Sequence, residues 1–208
     1  GLFPEWFAPP QQDWPASLRL TGFPQYDESD QQDLSPKLQE FLDAGSRPIA
    51  FTPGSANRQA ESFFKAAVDA SNRLNCRALL LTRYDGQLPS LPASVRHEAY
   101  VPLSRLLPRC MAFVHHGGIG TLAQALAAGI PQLTMPMGFD QPDNTTRLLR
   151  LGVATWVSPS QFTGERVAAK LDTLLTDPRV ASACTRWSRE LNANSPLERT
   201  CQILEELG

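Results

Sequence analysis

The chain has 208 residues, of which 42% are hydrophobic and 19% are charged, and its formal net charge at pH 7 is -2. This composition is typical of a folded globular protein rather than a disordered segment, and the length suffices for one domain with a full core. The near-neutral charge, without a run of Lys or Arg, argues against nucleic-acid binding, and no apolar run approaches the length of a membrane span.

Residues 1–35 are rich in Pro, Gln, Asp and Trp and show no apolar periodicity. Prolines punctuate this segment, and an extended stretch is expected only over residues 17–21. The run Asp27-Glu28-Ser29-Asp30 is typical of a solvated acidic turn. We therefore predict that residues 1–35 form a linker or lead-in and that residues 36–208 form a domain.

From residue 36 onward, short apolar runs alternate with segments of helical periodicity. The predicted strands are 48–52, 78–82, 95–101, 110–114, 132–135 and 153–157. The predicted helices are 38–42, 61–74, 103–107, 121–128, 141–151, 164–175 (capped by Thr163) and 180–207, the last interrupted near residues 194–196. This alternation is typical of an α/β fold with a parallel sheet covered by helices on both faces, in which ligands bind beyond the carboxyl ends of the strands.

A glycine-rich turn follows the fourth predicted strand, in the sequence His115-His116-Gly117-Gly118-Ile119-Gly120-Thr121. A strand, a tight glycine turn and a helix together point free backbone N–H groups and the positive end of a helix at an anion. Gly118, Gly120 and Thr121 can offer N–H groups to a diphosphate, and Thr121 also offers a hydroxyl. The ring of His116, at the strand end, can donate to a phosphate oxygen.

The same turn satisfies a second pattern, Gly118-x-Gly120-x-x-Ala123, which is the dinucleotide fingerprint. Asp140 lies about 20 residues further on, where a ribose-binding acid is expected in such proteins. This alternative would make the chain the NAD-binding domain of an oxidoreductase. Against it, the glycines follow the fourth strand, and Asp140 stands at a helix start rather than at the tip of a strand.

Residues 115–144 resemble the donor-binding segment of the UDP-glycosyltransferase family, nearest to its bacterial antibiotic- and sterol-glucosyltransferase-like branch. The family's His-x-Gly-x-x-Ser/Thr motif aligns with His116, Gly118 and Thr121, which assigns the phosphate role to His116 and leaves His115 to the core. The resemblance implies a Rossmann-like domain that is the C-terminal, donor-binding half of an inverting GT-B glycosyltransferase. It also implies that the chain begins near the middle of a larger protein.

The resemblance also assigns the donor sugar to Asp140 and Gln141, whose carboxylate and carboxamide can grip adjacent hydroxyls. By itself, Asp140 at a helix start is also a typical N-cap. In the Gly54-Ser55 turn after the first strand, Ser55 is a further candidate for contact with the diphosphate.

The segment Tyr100-Val101-Pro102-Leu103 resembles the part of the family that frames the uracil, which usually reads Trp-Ala-Pro-Gln in plant members. Tyr100 and Val101 would therefore contact the base, and Gln124 stands where plant members carry a ribose-binding Glu. These departures leave open whether the donor is a UDP-sugar or a dTDP-sugar. Tyr100 could equally be an aromatic core residue at a strand end.

No catalytic residue is expected in this chain. His97 has no partner at catalytic spacing, and the family's base is a His on the N-terminal domain. That domain also builds the pocket for a lipophilic or natural-product acceptor and would make any membrane contact. We therefore expect the chain by itself to bind donor without transferring sugar, and a non-catalytic sugar-nucleotide-binding module remains an alternative.

No metal or other cofactor is expected, because no Asp-x-Asp pair suited to Mg²⁺ accompanies the turn. A helix dipole together with His116 can replace a cation beside a leaving diphosphate. The four cysteines are scattered without a CxxC pair, which indicates free thiols in a reducing cytoplasm.

Overall fold

The computed structural model describes residues 1–30 and 33–206. Its centre is a parallel sheet of six strands in the order β3-β2-β1-β4-β5-β6. The strands are β1 (Ile49–Thr52), β2 (Ala78–Leu81), β3 (Val95–Glu98), β4 (Ala112–His115), β5 (Gln132–Thr134) and β6 (Ala154–Trp156). The order reverses between β1 and β4, because β2 and β3 extend the sheet on one side and β5 and β6 on the other.

Helices connect and flank the strands. They are α1 (Pro36–Asp43), α2 (Glu61–Arg73), α3 (Leu103–Leu106), α4 (Ile119–Ala128), α5 (Gln141–Leu151), α6 (Gly164–Thr176), α7 (Pro178–Asn192) and α8 (Pro196–Glu205). The side chain of Thr163 accepts a hydrogen bond from the N–H of Arg166 and caps α6, as predicted. The predicted interruption of the last helical stretch falls between α7 and α8, and its predicted end at residue 207 lies outside the described residues.

The core lies on both faces of the sheet, because successive strand residues point to opposite sides. In β4, Val114 packs with α2 and α6 on one face, whereas Phe113 packs with α1, α3 and α4 on the other. Both side chains are fully buried. The predicted α/β architecture, with helices on both faces of a parallel sheet, is confirmed.

One strand prediction needs correction. The third strand ends at Glu98, not at residue 101; Glu98 pairs with Leu81, the last residue of β2, and the carbonyl of the next residue, Thr82, accepts from the His97 ring (2.7 Å) instead of continuing the ladder. The stretch predicted as extended, residues 17–21, is tied to the first residue: the N–H of Thr21 donates to the Gly1 carbonyl (3.1 Å), and the Gly1 amino group donates to the Arg19 carbonyl (2.7 Å). All four cysteines are free thiols.

The lead-in packs closely on the helices. Phe7 and Phe23 are buried in a cluster with residues of α4, α5 and α7. Trp6 stacks on Trp187 of α7, with ring centroids 4.8 Å apart. The Arg147 guanidinium on α5 donates to the Phe7 carbonyl (3.3 Å). The start of the chain therefore shares the hydrophobic core, while the division at residue 35 stays a prediction.

Candidate functional site

A cleft of about 340 Å³ opens at the carboxyl ends of the central strands. Five of the predicted site residues line it: Ser55, Tyr100, Val101, His116 and Thr121. The cleft lies where the strand order reverses between β1 and β4, which is where ligands bind in open α/β sheets. The fold thus brings together residues that are up to 66 positions apart in the chain (55 to 121).

The glycine turn follows β4 beside this cleft; its residues His116 and Thr121 line the cleft, whereas Gly118 and Gly120 do not. Gly117 has a φ of 91°, a left-handed conformation that favours glycine, and Gly118 is the N-cap of α4 without any capping side chain. The N–H groups of the N-cap and the first helical turn, which include Gly118, Gly120 and Thr121, have no acceptor within the helix. They are oriented to bind an anion at the positive end of the helix.

The His116 ring lies between two glycines. A Cβ at Gly54 would lie 3.0 Å from the Cε1 atom of His116, and a Cβ at Gly118 would overlap its Nε2 atom. The Nδ1 atom is buried and has no hydrogen-bond partner among the described residues. Because a buried N–H without an acceptor is costly, we assign the ring proton to Nε2, at the glycine turn.

The charge state of His116 follows from the same burial. Desolvation lowers its pKa below the usual value, and the negative charge of Asp140 opposes this shift more weakly. A neutral ring with its proton on Nε2 is a hydrogen-bond donor toward the cleft and carries no charge of its own. Negative charge in the cleft is therefore met by N–H donors, the helix dipole and any nearby permanent cation.

His115 has a different, structural position. It is fully buried, and its Nδ1 accepts from the N–H of Gly117 (3.0 Å). The proton therefore lies on Nε2, which donates to the side-chain oxygen of Gln132 (2.9 Å). Burial, and secondarily the neighbouring His116, lowers the pKa of His115 to about 3. This ring holds the glycine turn in place, as expected for a core histidine.

Asp140 and Gln141 lie at the start of α5, beyond β5 and outside the cleft lining. Asp140 caps no backbone N–H; its Oδ2 accepts from the side chain of Asn144 (2.8 Å), which also donates to the Gly117 carbonyl (3.0 Å). Gln141 accepts from the Met137 N–H (2.8 Å). Among the described residues, Asp140 Oδ1 and Gln141 Nε2 make no hydrogen bond, so both remain available to a ligand hydroxyl.

Of the residues predicted to contact the base and the ribose, Tyr100 and Val101 line the cleft and Gln124 does not. Tyr100 is 38% exposed and donates its hydroxyl to the Asp27 carbonyl (2.8 Å), so it is not the core residue considered as its alternative. Val101 is buried beside it in the cleft wall. Gln124, one turn after Thr121, is buried in α4 and does not line the cleft. Its side-chain oxygen has no partner among the described residues.

Sequence reasoning missed Arg83, an exposed residue just after β2 that lines the cleft. Among the described lining residues it carries the only permanent positive charge, and none of them carries a carboxylate. The rule that strand ends carry ligand contacts would have selected it, since residue 82 was the predicted end of that strand. Arg83 makes the cleft suited to an anionic ligand.

Within residues 1–30 and 33–206, no three His, Cys, Asp or Glu side chains are grouped so that they could hold a metal ion. In the same part of the chain, every helix is too short or too polar to cross a membrane.

Comparison with known proteins identifies relatives of this chain. Residues 75–207 match the family described as Erythromycin biosynthesis protein CIII-like, C-terminal domain. The chain is 36% identical over 202 residues to O-mycaminosyltylonolide 6-deoxyallosyltransferase of Streptomyces fradiae, which covers 95% of this chain and 47% of that protein.

Two solved glycosyltransferase structures are also similar to this chain. The glycotransferase of kitacinnamycin superposes with a TM-score of 0.81 at 27% identity, covering 100% of this chain and 54% of that one. Spinosyn rhamnosyltransferase SpnG complexed with thymidine diphosphate gives a TM-score of 0.68 at 26% identity, covering 76% of this chain and 45% of that one. The chain spans about half the length of these relatives, all of which are named as sugar transferases.

These comparisons do not support the alternative of an NAD-binding oxidoreductase domain. The structure agrees, since the glycine turn follows β4 and Asp140 lies at the start of α5. The sheet is that of one half of a GT-B glycosyltransferase, as the resemblance implied. Since the family match covers more than half of its residues, the chain belongs to the Erythromycin biosynthesis protein CIII-like C-terminal domain family.

Proposed function

We propose that this chain is the domain that binds the nucleotide-sugar donor in an inverting glycosyltransferase, which transfers a hexose to a hydroxyl group of a natural-product acceptor. The observation that carries the proposal is the position of His116. Its Nε2 atom lies at the glycine turn, next to the first-turn N–H groups of α4, in a cleft lined by Arg83 and by no carboxylate.

The chemistry of the cleft suits a diphosphate that becomes a leaving group. As the bond to the sugar breaks, negative charge grows on the diphosphate oxygens. The Nε2–H of His116 and the N–H groups of Gly118 and Gly120 are donors held in place before the reaction, so they stabilise this charge without reorganising. Each hydrogen bond to a charged oxygen contributes about 1.5–3 kcal/mol. Ser55 and Thr121 add hydroxyl groups at the same wall.

Asp140 and Gln141 are proposed to hold the hexose. The Asp140 Oδ1 atom can accept from a sugar hydroxyl, and the Gln141 amide can donate to the neighbouring one. Both atoms are left without a partner by the contacts that fix the two side chains. Attack by the acceptor would come from the face opposite the diphosphate, which inverts the sugar carbon.

The nucleoside is proposed to be a pyrimidine that lies against Tyr100 and Val101. Leu103 lines this end of the cleft with an apolar side chain instead of an amide. The related spinosyn rhamnosyltransferase was solved with thymidine diphosphate, which supports the dTDP-sugar among the two donors that the sequence leaves open. The general base and the acceptor pocket are proposed to belong to the rest of the protein, because the expected base is a histidine and the one histidine of the described cleft lining, His116, is assigned to the diphosphate.

Calorimetric titration of the chain with UDP, dTDP, their hexose conjugates, NAD and ATP tests the proposal. We expect UDP or dTDP to bind, the matching nucleotide-hexose to bind more tightly, and no hexose transfer to alcohols by this chain alone. Tighter binding of NAD than of either pyrimidine nucleotide would overturn the proposal. Slow hydrolysis of the donor is compatible with it.

Asp140→Asn provides the residue-level test of the sugar site. It should weaken binding of the nucleotide-hexose by about 1.5–3 kcal/mol and leave binding of the free nucleotide unchanged, since the free nucleotide has no sugar to contact. Asp143→Asn is the matched control, because it removes a charge from the same helix turn and Asp143 is paired with Arg147 on the surface (2.7 Å). Equal losses for both ligands would exclude the sugar role of Asp140.

A further inference from the structure

The acidic turn of residues 27–30 contacts the part of the chain that carries Tyr100, instead of being fully solvated as the sequence suggested. The Asp27 carbonyl accepts from the Tyr100 hydroxyl (2.8 Å). The Asp27 carboxylate accepts from the N–H of Ser104 (2.6 Å) and from its hydroxyl (3.1 Å). One residue of the lead-in therefore holds both a side chain of the cleft and the helix next to it.

Asp27 acts as the cap that α3 lacks locally. The residue at the N-cap position of this short helix is Pro102, which has no polar side chain, and no neighbouring side chain caps the helix. Ser104 lies in the first turn, where N–H groups need an acceptor from outside the helix. An acceptor 77 residues earlier in the chain supplies it. The positive end of the helix also stabilises the negative charge of the Asp27 carboxylate.

A second contact anchors the other end of the turn. Arg105 on α3 donates to the Ser29 carbonyl (3.0 Å) and forms an ion pair with Asp33 (3.2 Å). Between the two anchors, Glu28 has a φ of 57°, a left-handed conformation that non-glycine residues adopt only when their surroundings hold them there. The turn is thus held in a defined shape against α3.

Tyr100 depends on this contact because the sheet does not hold it. It lies two residues beyond the end of β3, the edge strand of the sheet, and past the last register pair of β2 and β3, which is Leu81 with Glu98. Its ring is partly exposed at the cleft. A tyrosine phenol is protonated at neutral pH, so the Tyr100 hydroxyl is a donor to the Asp27 carbonyl. Burial, followed by the nearby charges of Glu28 and Asp27, raises the pKa of Tyr100 further.

We propose that Asp27 is a positioning residue, which holds Tyr100 and α3 in place so that the lead-in controls affinity for the nucleoside end of the donor. This inference rests on the proposed function, in which Tyr100 contacts the base. The diphosphate end of the cleft, at His116 and the glycine turn, is built by other elements. Loss of the Asp27 contacts should therefore affect the two ends of the ligand differently.

Titration with dTDP, UDP and inorganic pyrophosphate measures this difference. Asp27→Ala should weaken nucleotide binding on the order of tenfold, the equivalent of one charge-assisted hydrogen bond, and leave pyrophosphate binding unchanged. Both variants keep the backbone carbonyl that accepts from Tyr100, so they differ only at the Ser104 contacts. Asp27→Asn, which keeps a side-chain oxygen acceptor for the Ser104 N–H, should restore most of the affinity. Asp30→Ala is the matched control, because it removes the same charge from the same turn.

Tyr100→Phe adds a variant with little risk to folding, since it removes only the hydroxyl that donates to Asp27. It should weaken nucleotide binding less than Asp27→Ala and leave pyrophosphate binding unchanged. Wild-type affinity of Asp27→Ala for the nucleotides, or an equal loss for nucleotides and pyrophosphate, would overturn the inference while leaving the proposed function standing. A wild-type chain that binds neither nucleotide would overturn the proposed function and this inference together.

Discussion

Replacing Gly118 with alanine tests whether His116 is the donor at the diphosphate. Gly118 has φ and ψ angles of -64° and 142°, which alanine adopts without strain. The substitution therefore acts through the added methyl group alone, and that methyl group would overlap the His116 Nε2 atom. Gly54 also lies close to the ring, since a Cβ there would be 3.0 Å from Cε1 and 3.1 Å from Nδ1, and this limits the movement by which the ring could avoid the methyl group.

The expected loss is that of the His116 hydrogen bond to the diphosphate. A bond to a charged oxygen is worth about 1.5–3 kcal/mol, which corresponds to a weakening of roughly 10- to 150-fold. His116→Ala should produce a similar loss because it removes the same donor. The double variant should then bind no more weakly than either single variant, since the second change has nothing further to remove.

Calorimetric titration with dTDP and UDP measures all three variants, and urea unfolding shows whether each one folds. Gly86→Ala is the control for a glycine-to-alanine change, because a Cβ at Gly86 meets no atom within 4 Å and the residue lies outside the cleft. Wild-type affinity of Gly118→Ala would refute the reasoning. Losses that add up in the double variant would show that Gly118 and His116 act independently.

Two further predictions concern stability. Burial lowers the pKa of His115 from 6.5 to about 3, so below pH 6.5 the unfolded chain binds a proton at this ring that the folded chain does not. The contribution of His115 to the free energy of unfolding is therefore fully present above pH 6.5 and declines as the pH falls toward 3, by at most about 1.4 kcal/mol per pH unit. His115→Gln should remove this slope between pH 6.5 and 5 in urea unfolding at several pH values; an unchanged slope would mean that the ring is not held neutral. Phe7→Ala should lower the free energy of unfolding by about 3–5 kcal/mol, because the Phe7 side chain is buried. Leu2→Ala, at an exposed position, is the control, and an equal loss of unfolding free energy in the two variants would mean that the lead-in is not part of the core.

The sequence by itself determined the elements and the main motif. Helical and strand periodicity arise from contacts within a few residues, so the alternation of strands and helices after residue 36 predicted a parallel sheet, and the structure confirms it. The glycine turn is also local: strand, glycines and helix start are contiguous from residue 112 to 128. The same locality explains why Thr163 was correctly predicted as a helix cap.

Only the tertiary structure decided which distant residues share a surface. The lead-in has no periodicity, yet Phe7 and Phe23 are buried because three helices offer them an apolar surface. Asp27 looked like a solvated acid because its partner Ser104 is 77 residues away. Gln124 lies behind the cleft wall rather than in it. Such contacts depend on strand order and helix packing. The periodicity of a sequence predicts neither, because it shows which face of a helix or strand is apolar and not which other element packs against that face.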